Sequence, residues 1–480
     1  MNQVAISVLL IPVLLLSGCR TLKTEPVLPS ESQIPPSFSQ TAKHSASNPV
    51  GRGERFWEVF GNEELTGLIE QVQSHNFDIK TLESRIERER ANLKKEQSSF
   101  FPDLDFSLGG QRRERKERTA SNRSHDGSHS WDAGLTSSFT ADIWGEFEAG
   151  EQSQRLALMA AKLDLTDRII TVTTQAAQTW IDVIAARNEG MILDQQVEIN
   201  RTLLELQKLR FSNGQANALD VSQQREALAE ASSQKPLVER NERLSLNSLA
   251  VLSGKTDMGS ITVTTRVLPE PVPLPDVGIP ADLLNNRPDI QAAWLRVEAA
   301  GQDVREAEAD RLPSLNLSAQ ALFSSGELDL LFQNWVASLA ADIVGPIFDA
   351  GLRQAEVERT MAVAREQVQL YVQTVSQAIR EVEDSLVSID KQEDFIRLLE
   401  EELALAGLTL KDAMLQYRNG QSSYLNYLTV WSRIEFLERQ LIREKATYLK
   451  ERIGLYAALG WLIDKGSDED RIDGLRSDNK

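Results

Sequence analysis

The sequence predicts a mainly helical protein with a small membrane β-barrel component. It is laid out as two tandem copies of helix, strand, strand, long helix, helix. Three observations carry this. Long proline-free stretches repeat apolar residues every seven positions. Four short segments alternate apolar with polar residues. The two halves of the chain carry matching motifs in the same order.

The longest helix is the plainest. Residues 352–418 contain no proline and a single glycine, Gly407. At about 1.5 Å per residue such a rod is roughly 100 Å long. Met361, Val368, Val375, Val382, Ile389, Ile396, Leu403, Leu410 and Tyr417 form a ladder along it. A strict 3.5-residue period implies coiled-coil packing with a left-handed twist. The first copy repeats the step with Leu156, Leu163, Ile170, Ala177, Ile184 and Met191. Its companion positions are mixed (Met159, Thr166, Thr173, Trp180), so only one narrow seam is well specified.

The strands are expected near 103–111, 131–142, 314–323 and 335–343. In 311–323, "RLPSLNLSAQALF", Pro313 ends a helical run and the period switches to two. Leu315, Leu317, Ala319, Ala321 and Phe323 face one way, and Asn316, Ser318 and Gln320 the other. The second strand sets Trp131, Ala133, Leu135, Phe139 and Ala141 against Asp132, Thr136, Ser138 and Thr140. The fourth sets Trp335, Ala337, Leu339 and Ile343 against Ser338 and Asp342. Segments of about nine to eleven residues suit tilted membrane strands, and Trp131 and Trp335 suit the membrane interface. Leu315, Leu317, Phe323, Trp131, Leu135, Phe139, Trp335 and Leu339 are then lipid-facing. Asn316, Ser318, Gln320, Asp132, Thr136 and Ser138 line the lumen. Four strands cannot close a barrel, and open edges are not tolerated in lipid, so strands must be pooled; three chains supply twelve. A soluble sandwich lacks a second sheet to cover the apolar faces.

The duplication is direct. Asn76-Phe77-Asp78-Ile79 matches Arg287-Pro288-Asp289-Ile290 at an offset of 211, as Phe101-Pro102 matches Leu312-Pro313. Ala141-Asp142-Ile143-Trp144-Gly145 matches Ala341-Asp342-Ile343-Val344-Gly345 at an offset of 200, and the difference falls between the strands. Phe211-Ser212-Asn213-Gly214 matches Tyr417-Arg418-Asn419-Gly420 at an offset of 206.

Bulk properties limit the function. The net charge is -19, which argues against nucleic acid as a partner. No apolar run reaches the roughly 20 residues of a spanning helix. The lone cysteine, Cys19, excludes an intrachain disulfide. The apolar run of residues 4–16 reads as a signal peptide core, and Leu16-Ser17-Gly18-Cys19 resembles a bacterial lipobox, in which the cysteine is lipidated and becomes the new N-terminus. Residue 20 is Arg rather than the Asp of an inner-membrane retention signal, which favours the outer membrane. The expected organisation is 1–18 signal peptide, 19–50 lipidated linker, 51–254 first repeat, 255–281 proline-bearing connection, 282–463 second repeat and 464–480 polar tail.

The segment 111–130, "QRRERKERTASNRSHDGSHS", reads as a solvated loop with six Lys or Arg against three Asp or Glu. Contact with lipid phosphates is the alternative. His125 and His129 have a metal-binding spacing only on a helix, and Gly127 between them argues against one. No metal site or cofactor is expected beyond the lipid on Cys19. No phosphate-binding loop, GxSxG or His-Glu-x-x-His is present, so catalysis is not expected.

Together these residues resemble the outer-membrane factor family of TolC-like trimeric efflux channels, in its lipoprotein branch. The carriers are Trp57-Glu58-Val59-Phe60-Gly61-Asn62-Glu63-Glu64-Leu65, Leu284-Asn285-Asn286-Arg287-Pro288-Asp289-Ile290 and Gly345-Pro346-Ile347-Phe348-Asp349-Ala350-Gly351. The resemblance implies a homotrimer with a twelve-stranded barrel in the outer membrane above a periplasmic α-barrel tunnel. It implies docking to a periplasmic adaptor and an inner-membrane RND-type pump, and passive conduction of drugs or other toxic solutes. The tip of the tunnel, at the turns bearing Gly214 and Gly420, would be the gate. The family often has an acidic residue six positions after the turn glycine; Asp220 fits, and Asn426 departs from it. Asp220 could equally be a carboxylate favoured by a helix N-terminus. Tyr417 either packs across the tip or ends the ladder. Two other functions fit less well: the outer-membrane duct of a type I protein secretion system, and a structural periplasmic coiled-coil lipoprotein.

Overall fold

The computed structural model describes residues 35–38, 56–119, 122–271, 274–275 and 277–460. Cys19, the signal peptide and the tail 464–480 lie outside the described residues. The first copy comprises α1 (Phe56–Val59), α2 (Glu63–His75), α3 (Phe77–Ser98), β1 (Asp103–Thr119), β2 (Asn122–Ala141), α4 (Glu146–Ser212) and α5 (Ala218–Leu252). The second comprises α6 (Leu283–Asn286), α7 (Pro288–Ala309), β3 (Ser314–Ser325), β4 (Trp335–Val344), α8 (Leu352–Arg418) and α9 (Tyr424–Ala458). Short 3-10 segments, Pro280–Asp282 and Leu328–Gln333, precede α6 and β4.

The duplication holds residue for residue in the helices. α3 and α7 each have 22 residues, α4 and α8 each have 67, and α5 and α9 each have 35. One correspondence differs from the sequence match. The counterpart of Gly145 is Gly351, not Gly345: both precede a long helix in the left-handed conformation, at φ 74° and 85°. Six extra residues in the second junction displace the motif. Gly345 instead lies against Pro313, where a Cβ would come within 2.9 Å of the proline ring.

α4 and α8 outrun their partners. α4 packs on α3 and α7, then on α5 and α9; α8 packs on α7 and α9. Ile79 and Ile86 of α3 meet Ala161, Leu165 and Ile169 of α4. Further along, Ala186 and Leu193 meet Val238 of α5. The α8 ladder is buried or half-buried throughout, from Met361 to Tyr417. The α4 ladder holds as far as Ile184 and then fails: Met191 is 43% exposed. Ala186, Leu193, Asn200 and Gln207 continue the seam, two residues out of phase, and all are buried. The phase moves where the partners change, because the new neighbours approach a different face.

The changeover is clamped in both copies. Asn76 caps α3 by accepting from the amides of Asp78 and Ile79, and its own amide donates to the Leu252 carbonyl at the end of α5 (2.8 Å). At the corresponding place Arg287 donates to the Ala458 carbonyl at the end of α9 (3.0 Å). Arg287 also grips both oxygens of Asp289, in the first turn of α7, and reaches Glu381 of α8. Pro288 supplies the fixed φ of a first helical residue. Gly254 and Gly460 end α5 and α9 with positive φ, and a Cβ at either would meet the carbonyl oxygen of His75 or Asn286, at 2.1 and 2.7 Å. The Arg-Pro-Asp-Ile start is thus a three-way splice of α7, α8 and α9.

Beside the splice, Asp167, Arg287, Asp289 and Glu381 line a cavity of about 790 Å³. Burial, aided by the charge of Asp289, raises the Asp167 carboxyl to about 6. The connection between the copies is held down by Glu64 of α2, which accepts from the amides and hydroxyls of both Thr264 and Thr265. Burial alone would raise the Glu64 carboxyl, but these hydrogen bonds outweigh it and hold it at about 2.

Replacing Arg287 with Ala leaves Asp289, Glu381 and Asp167 facing one another without their cation. The expected loss is about 3 kcal/mol, read as a lower urea midpoint of the purified protein. A midpoint unchanged from wild type would remove the splice from its structural role.

Candidate functional site

The strands form one antiparallel sheet in the order β1-β2-β3-β4. Its register separates two faces. Phe106 pairs with Leu135, Ala133 with Phe323, Phe139 with Leu317, Leu315 with Ile343, Ala319 with Leu339 and Phe323 with Trp335. Asp132 pairs with Ser324, Thr136 with Gln320, Ser138 with Ser318 and Asn316 with Asp342. Because side chains alternate across a strand, the first set shares one face with Trp131, and the second set shares the other. Every residue expected to face lipid is on the apolar face, and every residue expected to line the lumen is on the polar one. Thr140 donates to the Asn316 side chain across the polar face (2.9 Å).

The first hairpin corrects the sequence expectation. β1 continues to Thr119 and β2 begins at Asn122, so 111–119 and 122–130 are paired strand rather than a solvated loop. Hairpin pairing needs no apolar alternation, so the hydropathy pattern stopped before the strand did. His125 and His129 lie on β2, not on a helix. Among the described residues no group of three or more His, Cys, Asp or Glu could hold a metal. Trp131 is not at the end of its strand. It pairs with Ser325, the last residue of β3, two positions past Phe323, which pairs with Trp335. The two tryptophans therefore stand at nearly one height, where the second hairpin ends. Among the described residues β1 and β4 have no neighbour beyond them in the sheet.

At the far end of the long helices, Gly214 and Gly420 close the turns at φ 71° and 69°. The amides of Gln215 and Gln421 reach back to the carbonyls of Arg210 and Gln416 (2.8 and 2.9 Å), which stops each helix. Asp220 stands in the first turn of α5. Its carboxylate accepts from the Asn217 amide (3.2 Å), and the Asn217 side chain accepts from the Asp220 amide (2.8 Å), a complete capping box. Asn426 donates to Ser422 (2.9 Å) and is exposed.

Tyr417, at the end of the α8 ladder, packs against α4 and α9. Its hydroxyl bonds to Gln207 of α4 (3.2 Å), Arg210 lies 4.8 Å over its ring, and its ring meets Tyr424 and Tyr427 at 5.2 and 6.3 Å. Behind these rings is a buried polar chain that the hydropathy pattern did not reveal. Tyr424 donates to Gln224, and the Gln224 amide donates to the Asn200 side chain (2.9 Å). Asn200 donates to Glu435 (2.6 Å), which also accepts from Trp431 (2.8 Å). Gln196 donates to the Glu435 carbonyl (3.1 Å). Polar residues at the buried seven-step positions Asn200 and Gln207 were the available signal. The chain joins α4 and α5 of one copy to α9 of the other. Burial raises the Glu435 carboxyl above its ordinary range, against the hydrogen bonds from Asn200 and Trp431.

The sheet with one apolar face is borne on helices of 67 residues, roughly 100 Å long. A family model described as outer membrane efflux protein matches residues 68–255 and 279–461. The chain belongs to the outer membrane efflux protein family. It is 27% identical over 419 residues to the pyoverdine export outer membrane protein OpmQ of Pseudomonas aeruginosa, covering 86% of this chain and 88% of that one. It is 26% identical to nodulation protein T of Rhizobium leguminosarum bv. trifolii, covering 94% and 96%. The Campylobacter jejuni CmeC outer membrane channel shares the fold at a TM-score of 0.84, with 21% identity over 92% of this chain and 95% of that one. The outer-membrane channel OprN does so at 0.82, with 22% identity over 90% and 97%. The protein is thus an outer-membrane efflux channel component whose helices form the periplasmic part.

The raised Glu435 carboxyl gives the tip a pH response. A carboxyl raised on folding contributes its stability fully below the unfolded value and loses it as pH rises through the folded value. Wild-type protein should gain thermal stability as pH falls toward the ordinary carboxyl range, and Glu435→Gln should lack that gain. Parallel profiles for the two proteins would exclude Glu435 as the source.

Proposed function

We propose that three copies close their sheets into a twelve-stranded barrel and their helices into one tunnel, making the passive outer-membrane duct of a tripartite efflux system. The observation that carries this is the sheet. Among the described residues it has one apolar face and two unpaired outer strands, and hydrocarbon does not tolerate open edges. Three sheets joined β4 to β1 leave none. Asn316, Ser318, Gln320, Asp132, Thr136 and Ser138 then line the water path. Leu315, Leu317, Phe323, Leu135, Phe139, Leu339, Trp131 and Trp335 meet lipid.

Its partners are a periplasmic adaptor and an inner-membrane RND-type pump. The relatives support this: one is a probable efflux pump outer membrane protein, TtgC, of Pseudomonas putida, 27% identical over 93% of both chains. The cargo class is small exported solutes, and the chain performs no catalysis. Cys19 carries the lipid that ties the N-terminus to the outer membrane. At the tip, three copies of Asp220 form an acidic ring that attracts cations and narrows the path electrostatically. Tyr417 secures the turn beside it.

Purified protein in planar bilayers tests the duct: stable conductance steps are expected, and their absence overturns it. Asp220→Asn keeps the acceptor for the Asn217 amide while removing the charge. It should raise conductance and weaken block by divalent cations. Unchanged block would take Asp220 out of the gate. Mass spectrometry of the mature N-terminus should find Cys19 first and diacylglyceryl-modified; an unmodified Cys19 would refute the anchor.

A further inference from the structure

Below the splices the helices stand side by side in the order α5-α4-α9-α8, since α4 packs on α5 and α9, and α8 packs on α9. The seam between α4 and α9 is tied by charge. Glu189 pairs with Arg443, and Asp182 pairs with Lys450 at 2.7 Å. Arg443, Lys450 and Ala457 follow one another at seven-residue steps on α9. Ala457 lines the splice cavity together with Ile170 and Thr174 of α4. This stripe is the face that α9 turns to α4.

The duplication supplies a second copy of both faces. An offset of 206 carries α4 onto α8 and α5 onto α9. At that offset Arg443, Lys450 and Ala457 correspond to Leu237, Leu244 and Val251 of α5. Glu189 and Asp182 correspond to Phe395 and Ser388 of α8. Leu237, Leu244 and Val251 are 44, 57 and 51% exposed, and Phe395 is 41% exposed. Both members of both ion pairs have therefore lost their charge together. A leucine replacing one cation of a facing pair would strand its carboxylate, and here the carboxylate is gone as well. Two positions that face each other need that joint loss, and two unrelated solvent positions do not. An apolar stripe left open on a single chain marks an interaction surface.

We propose that α8 of one copy docks on α5 of the next along these faces, with Phe395 against Leu237 and Ser388 against Leu244. Two arguments select a second copy of this chain over another protein. The complementary face lies on the same chain, at the offset that relates the two halves of the inner seam. The β4 to β1 join proposed above also brings the α8 side of one copy to the side of the next that carries α3, whose first residues are bonded to the end of α5 through Asn76. The contact is head-to-tail, so three copies close a ring. The tunnel wall then alternates a charged seam inside each chain with an apolar seam between chains. The inference rests on the trimeric reading above and adds which faces meet and by what chemistry.

Cys19 is the lone natural cysteine, so introduced cysteine pairs report the seam and wild type serves as the blank. Full-length Leu237→Cys with Phe395→Cys, purified in detergent, is treated with a short bismaleimide and denatured. Covalent dimers and trimers are expected. The two single variants co-expressed should give dimers and no larger adduct. Glu189→Cys with Arg443→Cys should close within one chain at monomer mass. Light scattering of the untreated particle reports its mass separately. A trimer that gives no interchain adduct leaves the stripe to some other protein and overturns this proposal alone; a monomer removes the trimeric reading with it. In a second arm, Phe395→Glu should lower the temperature at which the trimer dissociates. Adding Leu237→Arg, which copies the inner ion pair into the seam, should restore it. Equal dissociation temperatures for the single and double variants would overturn the contact.

Discussion

The long helices set a problem of length. A rod of 67 residues cannot be accompanied along its whole course by helices of 22 or 35 residues. It must exchange partners midway, and every exchange exposes helix ends. A helix end buried without partners for its last amides and carbonyls is unfavourable. Asn76 and Arg287 solve this at one point in each copy by joining the start of one short helix to the end of the other. The sheet above and the tip below both hang from these two splices.

The splices are chemically unequal. Asn76 makes neutral hydrogen bonds, whereas Arg287 brings a buried charge and gathers Asp289 and Glu381 around it. A guanidinium offers five donors in a fixed plane, which lets one side chain address α7, α8 and α9 at once. The second copy has the greater need, since its preceding helix, α6, is only four residues long and contributes little packing of its own.

Much of this was legible in the sequence because the periodicities are strict. The α8 ladder, the two helix stops at Gly214 and Gly420, and the facing of each strand residue follow from spacing alone. Three things escaped. The α4 seam changes phase after Ile184, because its neighbours change and a single-helix pattern contains no record of a neighbour. The first hairpin runs past its apolar alternation, because backbone pairing does not depend on hydropathy. The chain from Tyr424 to Glu435 uses polar residues in core positions, where an apolar ladder is silent. The acidic tip residue expected from family likeness is found in a capping box with Asn217, a local pairing that a count from the turn glycine does not record.

The equal lengths of the paired helices have a geometric result. α4 and α8 begin 206 residues apart and end 206 residues apart. Both hairpins of the lower half therefore reach the same plane, and the chain finishes in a flush edge rather than a notched one. The rim is then level, and two turns of different sequence are presented at one depth. An insertion of even one helical turn in either rod would tilt that rim by about 5.4 Å. The duplicated chain thus serves as its own ruler, each rod fixing the permitted length of the other.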